Sequence, residues 1–316
     1  MKAIEVRVPG LLTTVQDLGR EGFGPLGVSP SGAADAVAMR IGNRLVGNPE
    51  GAAALEMTLL GGAFVFPDGG VIALAGSDFG ATLDDVGLET WTSVSIRPGQ
   101  TLKCGATRSG ARCYLCVQGG IEVKRLLGSA STHLLSGLGG LQGRALRKGD
   151  VLHIARAREA FRTFRKKRVS GRALAKLAPS RILRVTPGPQ ADWFPAAVLK
   201  AFYESPYRVT EESNRMGLRL DGPPVPTDSL GEMISEGVAL GAVQIPSGGK
   251  PIILFIEQQT TGGYPKIANV ISADFHSLAQ LRPRDEIRFE QVEMDMARKL
   301  LREQEEWLAS KELIVE

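Results

Sequence analysis

The chain has 316 residues, 43% of them hydrophobic and 23% charged, which is enough for two ordinary domains or one large one with a self-sufficient core. Three cysteines, an odd and low number, exclude a disulfide framework and point to a reducing compartment. The formal charge of +4 and pI near 9.0 are unevenly spread, because the run from Arg156 to Arg181 is strongly basic.

The first residues, Met1-Lys2-Ala3-Ile4-Glu5-Val6-Arg7, lack the apolar core of a signal peptide. No stretch reaches the roughly 18 apolar residues of a membrane span. A cytoplasmic location is the expectation. Abundant glycine (38 residues), few aromatics and short apolar runs predict a mainly β protein with a few helices.

In chain order, the first distinctive segment is Thr13-Thr14-Val15-Gln16-Asp17-Leu18-Gly19-Arg20. Next, Gly27-Val28-Ser29-Pro30-Ser31-Gly32 approximates a nucleophile elbow, but Ser31 stands where G-x-S-x-G needs glycine. Pro30 also removes an N–H that an oxyanion hole would use. The segment reads as a turn in which Ser29 touches ligand and Ser31 caps a helix over 31–45, ended at Gly47 or Asn48 before Pro49.

Cys113 and Cys116 form a C-x-x-C inside an apolar run. On a strand, positions three apart face opposite sides, so the pair reads as structural. Gly137-Leu138-Gly139-Gly140-Leu141-Gln142-Gly143 misses the dinucleotide fingerprint because Gln142 takes the third glycine's place. There is no P-loop and no H-E-x-x-H. His133, His153 and His276 are scattered, which disfavours a histidine-rich metal site or a serine triad. No metal is expected.

Arg156, Arg158, Arg162, Arg165, Lys166, Lys167, Arg168, Arg172, Lys176 and Arg181 face only Glu159 within their stretch. Without a nucleic-acid motif, the stretch reads as a solvated linker over 156–181, and no nucleic acid is expected. The division is then 1–155 for a first β domain, 182–290 for a second, and 291–316 for a C-terminal helix. A weak internal echo supports two related domains. Leu146-Arg147-Lys148-Gly149-Asp150-Val151-Leu152-His153-Ile154 resembles Leu281-Arg282-Pro283-Arg284-Asp285-Glu286-Ile287-Arg288-Phe289, each after an apolar strand and a Gly-Gly pair, at Gly119-Gly120 and Gly262-Gly263.

The second half carries the densest polar chemistry. Gln258-Gln259-Thr260-Thr261-Gly262-Gly263-Tyr264-Pro265-Lys266 follows the apolar run 252–256. Glycines there let a backbone approach a ligand, Thr260 and Thr261 supply hydroxyls, Gln259 an amide and Lys266 a cation. The same residues also fit a polar hairpin held by its own hydrogen bonds. In Ser213-Asn214-Arg215-Met216-Gly217, Arg215 suits a bidentate clamp on an anion, or an ion pair with Glu211 or Glu212. Gln244, Glu232 and Glu236 are candidate bases or hydrogen-bond partners.

These segments, together with Ser31-Gly32-Ala33-Ala34-Asp35, Leu55-Glu56-Met57-Thr58-Leu59 and Ala242-Val243-Gln244-Ile245-Pro246, resemble the family that holds the C subunit of 5-oxoprolinase, biotin-dependent carboxyltransferase and allophanate hydrolase subunit 2. The resemblance runs to about Phe289, and Gln259 to Lys266 is its most specific part. It implies two cyclophilin-like β-barrel domains. It also implies work beside two further 5-oxoprolinase subunits, a kinase-inhibitor-like B and a lactam-utilisation-like A. Together they open 5-oxo-L-proline to L-glutamate with ATP, by phosphorylating the lactam oxygen and then hydrolysing. On that reading the chain alone is inactive, Lys266, Arg215 and Gln244 are catalytic, and Asn214, Gln259, Thr260, Thr261, Gly262, Gly263, Tyr264, Asp17, Ser29 and Ser31 bind substrate. The family also implies two alternatives. One is carboxyl transfer from biotin to urea or a related amide, although no Met-Lys-Met carrier motif is present. The other is a regulatory protein that binds a kinase-inhibitor partner. His133, Gln142 and Cys116 depart from the family's usual acidic, Glu and small residues.

Overall fold

The computed structural model describes residues 2–156, 164–227 and 233–316. They form two units: Met1–Arg20, Ser31–Ala178 and Leu308–Glu316 make the first, and Glu21–Pro30 and Pro179–Trp307 the second. Glu232, and the part of the basic stretch from 157 to 163, lie outside the described residues.

The first unit is built on a five-stranded antiparallel sheet, ordered Leu12–Gln16, Ala54–Thr58, Arg112–Val117, Gly70–Gly76 and Ser93–Ile96. Its central strand, Arg112–Val117, is buried at every position. Cys113, Leu115 and Val117 enter the apolar core, while Cys116 Sγ lies 3.7 Å from Met39 O in the helix Ala36–Leu45. The two cysteines of the C-x-x-C therefore face opposite sides, as the strand period requires, and all three thiols are free and buried. The helix packs close because Gly42 has no side chain: a Cβ there would meet Cys116 Sγ at 2.7 Å. A seven-stranded sheet completes the unit, in the order Ile121–Glu122, Val151–Ile154, Ala3–Val8, Ala63–Val65, Thr101–Lys103, Thr82–Leu83 and Val86–Gly87.

The helix starts later than its sequence suggests. Asp35, not Ser31, is the cap, and its carboxylate accepts from Ala38 N at 2.9 Å. Ser31 and Gly32 have φ of 54° and 103°, outside helical space, and Ser31 Oγ donates to Thr132 O at 2.8 Å instead. The exit is as expected: Gly47 takes the left-handed turn at φ 78°.

The second unit contains a closed barrel. Its strands run in the order Ile182–Pro187, Lys266–Val270, Ala242–Gln244, Ile252–Leu254, Gly217–Asp221, Tyr207–Val209 and Glu286–Gln291. Closure comes from a parallel pairing of the last strand with the first, Ile182 opposite Arg288. Phe289, on that closing strand, stacks on Phe202 of the helix Ala196–Glu204 with ring centroids 4.8 Å apart. The protein is thus mainly β with a few helices. Closure is seen in the second unit, while the first unit's strands lie in two large sheets and one two-stranded pair.

Two boundaries differ from the sequence reading. Part of the supposed linker is structured within the first unit: Arg168–Val169 pairs with Ile314–Val315, and Gly171–Lys176 is helical. Gln291 ends a barrel strand, and the last long helix is Met294–Ala309, after which the chain returns to the first unit. Among the described residues, no helix is long and apolar enough to cross a membrane.

Candidate functional site

The richest polar cluster of the second unit lies where Lys266–Val270 meets Ala242–Gln244. The register skips between Val243 and Gln244, so a β-bulge sets Lys266 directly opposite Gln244. On the other flank the chain turns through Gly188, whose N–H donates to Ile267 O at 3.0 Å. A Cβ at Gly188 would lie 2.1 Å from Lys266 O, so only glycine allows this approach.

Lys266 is 2% exposed. Its ammonium sits 2.5 Å from Glu236 Oε1, an ion pair to a carboxylate that is 45% exposed. Among the described residues, the ammonium meets no hydrogen-bond acceptor besides this carboxylate. Glu236 lies in a short ribbon in which Glu236–Gly237 pairs with Thr261–Gly262. The Lys266 ammonium, and next the Gln190 amide, hold the Glu236 carboxyl below the usual carboxylate range. Gln190 Nε2 donates to Glu236 Oε1 at 2.9 Å, and Gln190 Oε1 accepts from Lys266 N at 3.1 Å.

Gln244, 1% exposed, accepts from Gln259 Nε2 at 3.4 Å through its Oε1. Its Nε2 is buried and without a partner among the described residues, as is Oε1 of Gln258. Gln258 Nε2 donates to Val238 O at 3.3 Å. Gly262 closes over this group: a Cβ there would lie 2.7 Å from Gln244 Nε2. Buried polar atoms are nearly always paired, so the orphaned Gln244 Nε2, on the residue opposite Lys266 in the ladder, and the orphaned Gln258 Oε1 mark places open to a polar ligand.

The structure sorts the other sequence-selected residues. Thr260 O accepts from Val238 N at 3.1 Å, Thr261 and Gly262 form the ribbon, Gly263 lies beside Ser235, and Tyr264 is 49% exposed at the loop's end. Arg215 is buried, and its Nε donates to Glu257 Oε1 at 2.5 Å. The expected partners are engaged elsewhere, Glu211 with Arg284 and Glu212 with Arg219. Asn214 Oδ1 accepts from Met216 N at 2.8 Å, tying the turn before the strand. Ser29 Oγ donates to Ile256 O at 3.3 Å.

Asp17 and Ser31 belong to the first unit. Asp17 Oδ1 accepts from Ser129 Oγ and Ser131 Oγ, each at 2.6 Å, and from Gly19 N, while Oδ2 accepts from Ala130 N at 2.7 Å. That carboxylate pins the 129–131 segment. Sequence reasoning missed Gln190, Gln258 as a site residue, and Glu257. Gln190 had a signal, the Pro-Gly-Pro turn that ends an apolar run.

The cluster combines an ammonium, an amide donor and an amide acceptor, a set suited to one amide or carboxyl group. Among the described residues, no His, Cys, Asp and Glu group can hold a metal. Burial pushes the Cys104 thiol up to about 12 and the Cys113 and Cys116 thiols well above their usual range, so none is a ready nucleophile.

A family model described as "Carboxyltransferase domain, subdomain A and B" matches residues 26–291. The C subunit of 5-oxoprolinase from Escherichia coli is 40% identical over 298 residues, 94% of each chain. Its namesake from Haemophilus influenzae is 37% identical over 93% of each. The urea amidolyase of Saccharomyces cerevisiae is 34% identical over 96% of this chain but only 17% of its own length. Among solved structures, the urea amidolyase of K. lactis superposes with a TM-score of 0.89 at 30% identity, over 99% of this chain and 21% of that one.

Proposed function

The chain belongs to the family of carboxyltransferase domains, subdomains A and B, and from that membership we propose that it is the C subunit of an ATP-dependent 5-oxoprolinase, acting with the A and B subunits to open 5-oxo-L-proline to L-glutamate. The near end-to-end similarity to two proteins of that name supports this reading. The observation that carries the chemistry is the buried Lys266, set by a bulge opposite Gln244, whose amide nitrogen has no partner among the described residues.

Opening a lactam moves negative charge onto its carbonyl oxygen. Lys266 and Gln244 supply N–H donors for that oxygen, and Gln258 Oε1 takes the ring N–H. Donors fixed before the reaction stabilise developing charge without reorganising. Among the described residues the cluster holds one lysine, already opposite Glu236, so it suits one oxygen anion and not a triphosphate. ATP is used by the assembled enzyme, and the phosphorylation step is not assigned to these residues.

The test measures glutamate release from 5-oxo-L-proline and ATP by the A and B subunits, with and without this chain. Release that requires the chain supports the reading. Lys266→Met is then expected to lower kcat by about 10²–10³-fold while the complex still assembles. Turnover retained in that variant overturns the assignment of Lys266.

A second reading is carboxyl transfer between biotin and urea or a related amide. It is favoured by the family description and by the superposition on a urea amidolyase. The same donors then hold a carboxyl or ureido oxygen, with biotin carried by another chain. Carboxylation of urea by this chain with a carboxylated biotin carrier, without glutamate release in the first assay, decides for it.

A further inference from the structure

We propose that Gln190 is a positioning residue, which fixes Lys266 and its counter-ion Glu236 in one geometry. The inference rests on the proposed role of Lys266. Gln190 is 7% exposed and makes three contacts, two with the Lys266 backbone and one with the Glu236 carboxylate. Its backbone N–H donates to Lys266 O at 3.3 Å, its Oε1 accepts from Lys266 N at 3.1 Å, and its Nε2 donates to Glu236 Oε1 at 2.9 Å. The amide can sit only one way round, because the Lys266 N–H needs an acceptor and the carboxylate needs a donor.

One oxygen, Glu236 Oε1, therefore receives both the Lys266 ammonium at 2.5 Å and the Gln190 amide at 2.9 Å. Glu236 stands on a two-residue ribbon and is 45% exposed, so its backbone alone is a poor anchor. Gln190 supplies the anchor from the barrel side. It keeps the carboxylate at the ammonium, and the ammonium aimed beside Gln244.

Among the described residues, the charged group facing Glu236 is Lys266, from the strand Lys266–Val270. The turn after Ile182–Pro187 contributes the neutral Gln190, and the pairing strand Thr261–Gly262 contributes no charge. The Gln190 N–H favours the ionised carboxylate, so removing it raises the Glu236 pKa. Gln190→Glu goes further. It keeps the acceptor for Lys266 N but sets a second carboxylate against the first, and the two then favour sharing a proton.

Two measurements test this. The first is the titration of the Glu236 carboxyl in the isolated chain by carbon-detected NMR, with the signal assigned by its loss in Glu236→Gln. It is independent of the enzyme's substrate, so it stands if the oxoprolinase reading fails. Gln190→Ala is expected to shift the midpoint upward, and Gln190→Glu to shift it further. The second is turnover by the assembled subunits. Gln190→Ala is expected to lower kcat by about 10–100-fold with little change in KM. Gln190→Glu is expected to move the acid limb of the pH profile of kcat to higher pH, because the Glu236 carboxylate is then protonated earlier on acidification, and Glu236→Gln to cancel that movement. If Gln190→Ala does not fold, the isosteric Gln190→Glu carries both measurements. An unchanged Glu236 midpoint, or an unchanged profile in Gln190→Glu, overturns the proposal.

Discussion

Arg215 and Glu257 are 4% and 3% exposed and meet at 2.5 Å, so each offsets part of the other's cost of leaving water. Arg215→Ala takes a charged partner away from a buried carboxylate. It is expected to cost about 3–5 kcal/mol, measured by urea unfolding of the isolated chain. Replacing the pair together, Arg215→Met with Glu257→Leu, is expected to recover part of that loss, because both charges of this pair are removed at once. A stable double variant with full turnover makes the arginine structural; a stable but inactive one returns it to the anion-clamp role. The sequence marked Arg215 as a charged residue in a turn, and nearby acids as its partners. It did not mark Glu257, 42 positions away, because a barrel brings together residues whose spacing carries no period. Lys266 was more legible: a lysine closing a glycine-rich polar loop after an apolar strand has few bland readings. Gln190 was less so, since its role is set by where Gly188 lets the backbone pass.

At the scale of elements, the internal echo proves to be one turn used twice. Leu146 to Asp150 and Leu281 to Asp285 end in the same device. Asp150 Oδ2 accepts from Arg147 N at 2.7 Å, and Asp285 Oδ2 from Arg282 N at 2.6 Å. The residue before each aspartate is left-handed: Gly149 has φ 90°, and Arg284 has φ 74°. The strands Val151–Ile154 and Glu286–Gln291 follow at once. The Gly-Gly pairs do not correspond, for Gly119 and Gly120 have positive φ whereas Gly262 and Gly263 do not. A non-glycine residue in left-handed space costs about 1 kcal/mol. Arg284→Gly is therefore expected to raise stability by about 0.5–1 kcal/mol, since the Arg284–Glu211 pair it gives up is exposed. Gly149→Ala, in open space, is expected to lower stability by about 1 kcal/mol through backbone strain alone. Denaturant midpoints of the two variants moving the same way would contradict the shared turn. Such turns were readable from a repeated aspartate. The helix start was not, because Ser31 looks like a cap until its left-handed φ is known.

The chain order of the whole molecule hides how its units are made. Glycine content and short apolar runs announced two β-rich bodies, yet the ends of each were misjudged. The reason is that the last residues return to the first unit. Leu313 is 0% exposed there, its carbonyl accepts from Ser170 N at 3.0 Å, and Ile314–Val315 pairs with Arg168–Val169. Arg44 also donates to the carbonyls of Leu308 and Ser310. Periodicity reports only which face of an element is apolar, never which remote element covers it, so a basic stretch with no visible partner looked like a solvated linker. The tail predicts its own importance. Removing residues 311–316 exposes the apolar surface that Leu313 covers and unpairs the Arg168–Val169 strand. A buried leucine contributes about 2–5 kcal/mol. The loss is expected to fall on the first unit alone, within its own core. Hydrogen exchange resolves this: amides of 168–176 should exchange faster in the shortened chain, and those of the barrel strand Lys266–Val270 should keep their protection. Equal acceleration in both would mean that the tail stabilises the chain as one cooperative body, and unchanged exchange in 168–176 would mean that the strand pairing is dispensable.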